Sequence, residues 1–191
     1  MHTTVFVDEH GCSVRPAILW NDNRTKEQIP LIKEVLKSKE ASAHISKIVS
    51  TGSPLASLLW VKENEPENAA RLSKFLIAKD YVKLKLTGTY TTDFCDASTS
   101  SLFDLHSDSW SEEVQELFDL SPTLFPVIQP ASTIIGTLTD TVCKELGIKE
   151  RLPVVSGTGD NVASAIVSGY FENEQPLISL GTSGLSLIHI S

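Results

Sequence analysis

The chain has 191 residues, a formal net charge of −8 and a hydrophobic share of 41%, which suits a globular protein of one full domain, or one domain plus the start of another. No apolar run approaches the roughly 18 residues of a membrane span. No basic-then-apolar leader opens the sequence and no basic stripe carries interleaved aromatics. Membrane and nucleic acid are therefore excluded as expected partners, and the cytoplasm is the expected location.

Cys12, Cys95 and Cys143 form no CxxC pair, so they read as free thiols, and no metal ligands are assigned. Residues 3–7, TTVFV, predict a short strand, DEHG a turn, and residues 14–20, VRPAILW, a returning strand that completes a hairpin. Residues 25–39 carry Ile29, Leu31, Ile32, Val35 and Leu36 at helical spacing, and a second helix is expected over 41–49. After TGSP come the helical run LASLLWVKEN and a helix started by Pro66, where the missing N–H has no partner to lose. FLIA at 75–78 reads as a buried strand, followed by a helix capped by Asp80 and stopped by Gly88. Ser111 caps SEEVQELFDL, residues 121–137 read as proline-rich and irregular, and a short helix over 139–146 ends at Gly147. Strand PVVSG, helix NVASAIVSG and strand PLISLGT close the chain. Strands alternating with helices define an α/β fold, with mixed sheet pairing because of the opening hairpin.

Four segments can carry chemistry. In GTGDN at 157–161 a strand ends, glycines let backbone approach a ligand, and Asp160 stands at a helix start. Asp160 reads equally as a helix cap or as an active-site acid; the small apolar residues of the helix behind it predict that the helix is buried. SLGTSG at 179–184 can form a backbone anion nest or a plain glycine turn between strands. WNDNR at 20–24 offers an indole face with amides and an acid for a polyol, or else a helix cap beside a buried Trp. TDFCDASTS at 92–100 reads as an ordinary loop.

Taken in order, MH at 1–2, RPAILWNDNR, GSPLASLLWVKEN, KDYVKLKLTG, TDFCDAS, GTLT at 136–139, GTGDN and SLGTSG resemble the FGGY family of carbohydrate kinases over nearly the whole chain. The resemblance implies an actin-like (ribonuclease H-like) ATPase fold of two domains around a cleft. Residues 1–170 would be an N-terminal sugar-binding domain lacking its first strands, and 171–191 the beginning of a C-terminal nucleotide-binding domain. It implies phosphoryl transfer from ATP with Mg2+ to a ketopentose, D-xylulose, or to another family substrate such as glycerol, gluconate or ribulose. A non-catalytic sugar-binding module is the reading from a different class.

The resemblance assigns Asp160 as general base for the sugar hydroxyl. It assigns Met1, His2 and Asn161 to sugar contact, and Trp20, Asn21 and Asp22, with Arg24, to the lining of the sugar pocket. Gly181 and Thr182 fall to the nucleotide phosphates. Its small-molecule partners are the sugar and ATP, and it allows a homodimer of the full-length enzyme. Thr3 stands where the family has glycine, Ser57 where its first signature has lysine, and the tail 185–191 departs from the pattern. With a phosphate-binding turn expected upstream and a second domain downstream, the isolated chain is expected to be inactive.

Overall fold

The computed structural model describes residues 3–37, Ile45, residues 49–169 and the backbone of 177–180 and 184–187. The opening strand β1 (Thr4–Val7) leads through a 3-10 turn (Asn23–Glu27) into α1 (Gln28–Lys37), then α2 (Pro54–Asn64) and α3 (Pro66–Ala70). Next come β2 (Lys74–Ile77), α4 (Ala78–Thr87), β3 (Thr91–Asp93), α5 (Phe94–Ser98), the short strands β4 (Phe103–Asp104) and β5 (Ser109–Trp110), and α6 (Glu112–Leu117). The remainder runs β6 (Val127–Gln129), β7 (Ile134–Thr137), α7 (Asp140–Leu146), β8 (Pro153–Val155), α8 (Asp160–Val167), β9 (Leu177–Leu180) and β10 (Gly184–Leu187). Residues 1–157 and 158–191 form two compact units. Among the described residues no helix is long and apolar enough to cross a membrane.

The pairing is mixed, as expected. β3 and β6 are parallel, while β1–β2, β4–β5, β7–β8 and β9–β10 are antiparallel. The expected opening hairpin forms only in part, without a continuous second strand. β1 pairs along its whole length with β2, Thr4 facing Ile77 and Val7 facing Lys74. On the other edge of β1, residues 13–18 return antiparallel and the Val14 amide donates to Phe6 O at 2.9 Å, but the pairing is confined to isolated bridges, Thr4 to Ile18 and Val7 to Ser13. Pro16 between them has no N–H to give a ladder, so a continuous strand cannot form there.

The β1–β2 ladder is buried on both faces. Phe6 and Phe75 join a core with Ile18, Ile32, Leu55, Leu58 and Val61, while Val5, Val7 and Leu76 pack with Leu84 of α4. This split follows from the two-residue alternation of side chains along a strand. Around Phe75 the rings of Trp110 and Phe125 close at 5.8 and 5.3 Å, in edge-on geometry. The Trp110 indole N–H donates to Pro126 O at 2.7 Å. The proline-rich stretch holds a 3-10 turn (Pro122–Leu124), β6 paired with β3 and β7 paired with β8, instead of the irregular chain expected.

Local chemistry sets most helix ends. Ser111 accepts from the Val114 amide and Thr139 from the Val142 amide, while Gly88 and Gly147 stop α4 and α7 in the left-handed region. Asp80 is a correction: the residue in the cap position of α4 is Ile77, and Asp80 lies inside the first turn with no surface exposed. The expected helix over 41–49 falls largely outside the described residues.

Candidate active site

The WNDNR segment lies where the chain enters α1. Asp22 caps the 3-10 turn, accepting from the Arg24 amide at 2.9 Å and from Arg24 Nε at 2.9 Å. The hydrogen-bonding Arg24 guanidinium holds the Asp22 carboxyl below the usual carboxylate range. Arg24 in turn lies over the Trp60 ring at 5.0 Å, which fixes it from the other side. Asp22 therefore has the capping role that the sequence left open. Trp20 is not the buried indole of that same alternative: it is 54% exposed, beside an exposed Asn21, and can offer a ring face to a carbon chain.

What holds Trp20 in place is a residue outside the motif. Gly52, at φ +73°, donates its amide to Thr25 Oγ1 at 3.0 Å. A Cβ there would meet Leu19 O at 2.5 Å and Trp20 O at 2.9 Å, so only glycine fits against this backbone. The TGSP turn before α2 thereby braces the Trp20 segment.

A second constellation lies in segments read as an ordinary helix and loop. Lys79 Nζ contacts Asp80 Oδ1 at 2.9 Å, Asp93 Oδ1 at 2.7 Å and Asp96 Oδ2 at 3.3 Å. Lys83 Nζ contacts the same Asp80 oxygen at 3.0 Å. Asp93 also caps α5 by accepting from the Cys95 amide at 3.0 Å. Burial works to lower the Lys79 ammonium, but the Asp80 and Asp93 carboxylates reverse this and hold it above the usual lysine range. Burial lowers Lys83, with Asp80 opposing. Burial also pushes the Asp96 carboxyl up to about 6, Lys79 pulling it back and the Asp93 carboxylate adding to the rise. The only sequence signal for this cluster was the density of acids and lysines between 79 and 96. Their meeting depends on β3 and α4 packing side by side, which no local pattern encodes.

GTGDN begins where β8 ends. Gly157 has φ +72°, which turns the chain out of the strand. Gly159 occupies the cap position of α8, so Asp160 is the first residue of that helix and not its cap. Asp160 and the adjacent Asn161 are exposed. The expected burial of α8 is corrected: Ala165 alone is buried, while Val162, Ile166 and Val167 are 38%, 48% and 88% exposed. Apolar composition suits a covered helix, but cover requires a partner surface, and these three side chains have none among the described residues.

Of the expected site residues, Trp20, Asn21 and Asp22 thus share one braced turn in the first unit. Asp160 and Asn161 share the start of α8 in the second. Met1, His2, Gly181 and Thr182 lie outside the described residues. Among those described, no group of three or more His, Cys, Asp or Glu side chains could hold a metal ion.

This mixed α/β fold is that of the carbohydrate kinases. Residues 1–167 match the model for the N-terminal domain of the FGGY family of carbohydrate kinases, and the chain belongs to that family. It is 35% identical over 98% of its length to a xylulose kinase of Staphylococcus xylosus. It is 34% identical over 97% of its length to the xylulose kinase of Escherichia coli K12. It spans about two-fifths of these relatives, 39% and 38% of their lengths. Among solved structures it superposes with TM-score 0.87 and 33% identity on a xyloylose kinase from Brucella ovis, over 97% of this chain and 38% of that one.

Proposed function

We propose that these residues form the sugar-binding part of an ATP-dependent kinase for a ketopentose, D-xylulose, with Asp160 as the general base. The observation that carries the reading is the place of Asp160: it opens α8 directly after the glycine turn that ends β8, with its carboxylate exposed. A carboxylate hydrogen-bonded to the attacking hydroxyl aligns it and accepts its proton late, as the bond to phosphorus forms. The exposed Trp20 ring and Asn21 suit a sugar's carbon face and hydroxyls. Met1, His2 and Asn161 complete the acceptor contacts, and Gly181 and Thr182 meet the phosphates of ATP, which brings its magnesium with it. The similarity to xylulose kinases supports the ketopentose over other acceptors.

Under this reading the activity belongs to a polypeptide longer than the 191 residues, divided near residue 170, and this chain alone phosphorylates nothing. ATP consumption by the full-length protein, measured with D-xylulose, ribulose, glycerol and gluconate, tests the substrate, with D-xylulose expected to be fastest. Asp160→Ala should lower kcat by about 10²-fold or more while leaving sugar affinity within a few-fold. Normal turnover by that variant, or by the isolated chain, overturns the reading.

A further inference from the structure

We propose that Lys83 is a positioning residue, anchoring the end of β8 from which the turn leading to Asp160 departs; its catalytic meaning rests on the role of Asp160 proposed above. Lys83 is only 5% exposed, yet it carries an ammonium into the protein interior. That charge is costly to bury unless it is paired and hydrogen-bonded. One partner is Asp80, at 3.0 Å. The other is the backbone: Lys83 Nζ donates to Ser156 O at 2.8 Å and lies 3.5 Å from Ser156 Oγ.

Ser156 is the residue after β8 and is fully buried. Its amide donates to Thr133 O at 2.8 Å, its hydroxyl lies 3.5 Å from Thr92 O, and the next amide, of Gly157, donates to Ala131 O at 2.9 Å. The stem of Lys79 lies beneath Gly157, 3.7 Å from where a Cβ would be. Lys83 of α4 thus holds Ser156 from one side, while the segment around Ala131 and Thr133 holds Ser156 and Gly157 from the other.

The need for such an anchor follows from the sequence beyond it. Only Gly157, Thr158 and Gly159 separate Ser156 from Asp160, and two of the three are glycines with the widest backbone freedom. A linker this short reaches no further than about 14 Å, so the place of Ser156 bounds where Asp160 can stand. Displacement of a reacting group by about 1 Å can cost about 10²-fold in rate. The buried Lys83 ammonium reaches the carbonyl of the residue from which the turn departs.

Amide hydrogen exchange on the 191-residue chain tests the anchor directly. Lys83→Met should speed exchange at Ser156 and Gly157 by about tenfold or more, with β1 and β2 amides unchanged. Lys83→Arg, which keeps a donor, should restore protection. In the full-length protein Lys83→Met should lower kcat by about tenfold with the KM for sugar within about twofold. Unchanged exchange at those two amides overturns the proposal, as does a loss shared equally with β1 and β2. If Lys83→Met does not fold, Lys83→Gln, too short to reach Ser156 O, takes its place with the same expectation. If neither folds, Lys83 is a structural ion-pair residue and the proposal falls. The exchange result does not depend on Asp160, so full turnover by Asp160→Ala would remove the catalytic reading and leave the anchor standing.

Discussion

Asp96 is almost fully buried, and its carboxyl faces Lys79 at 3.3 Å. Burial raises its pKa from 3.8 to about 6. Between those values the folded chain holds a proton that the unfolded chain has already released. Its contribution to stability is therefore complete below about pH 4 and is lost as pH rises through about 6. Asp96→Asn cannot ionise and lacks this dependence. In urea unfolding, the wild type should lose on the order of 2 kcal/mol relative to Asp96→Asn between about pH 4 and pH 7. A difference that stays flat with pH would mean that the carboxyl ionises in the usual range. At this scale the sequence was half legible. Asp160 stood out because two glycines precede it and it stands between a strand and a helix. Lys79, Lys83, Asp93 and Asp96 did not, because each is an unremarkable charge until tertiary packing removes its water.

At the scale of elements, the turn before α2 supports the Trp20 segment through one glycine. Gly52→Ala demands a left-handed φ from alanine and drives its Cβ to 2.5 Å from Leu19 O. We expect a loss of about 2 kcal/mol or more in thermal or urea unfolding, together with a changed Trp fluorescence spectrum as the Trp20 backbone moves. An alanine variant with wild-type stability and spectrum would show that the loop relaxes freely. Helix ends were legible because capping is local: Ser111, Thr139, Gly88 and Gly147 act within a few residues of themselves. The returning segment does come back along β1, but Pro16 interrupts its ladder, so it stays a pair of bridges and not the expected strand. β6 and β7 were hidden in a proline-rich stretch because their partners, β3 and β8, lie elsewhere in the sequence.

Across the whole molecule, the alternation of strands and helices was enough to give the α/β class, and the ordered run of motifs gave the family. The sequence could not give the partner of β1. Phe75 lies where that partner strand meets the aromatic cluster, 1% exposed against Trp110 and Phe125. Phe75→Ala should cost about 3–5 kcal/mol in chemical denaturation, a large part of the stability of an ordinary domain. A cost below about 1 kcal/mol would show that this packing contributes little.

The β1–β2 ladder also bears on how the protein is made. Thr4 finds its partner at Ile77, so a growing polypeptide carries the apolar segment TVFV with an open strand edge until β2 has been synthesised. Loop closure over that separation is slow compared with forming the local helices between, which can assemble first. Until then this segment is open to chaperones or to neighbouring chains. A polypeptide stopped before Lys74 should therefore be prone to self-association even if α1 and α2 have formed, and release of residues 74–77 should be the step that ends this exposure.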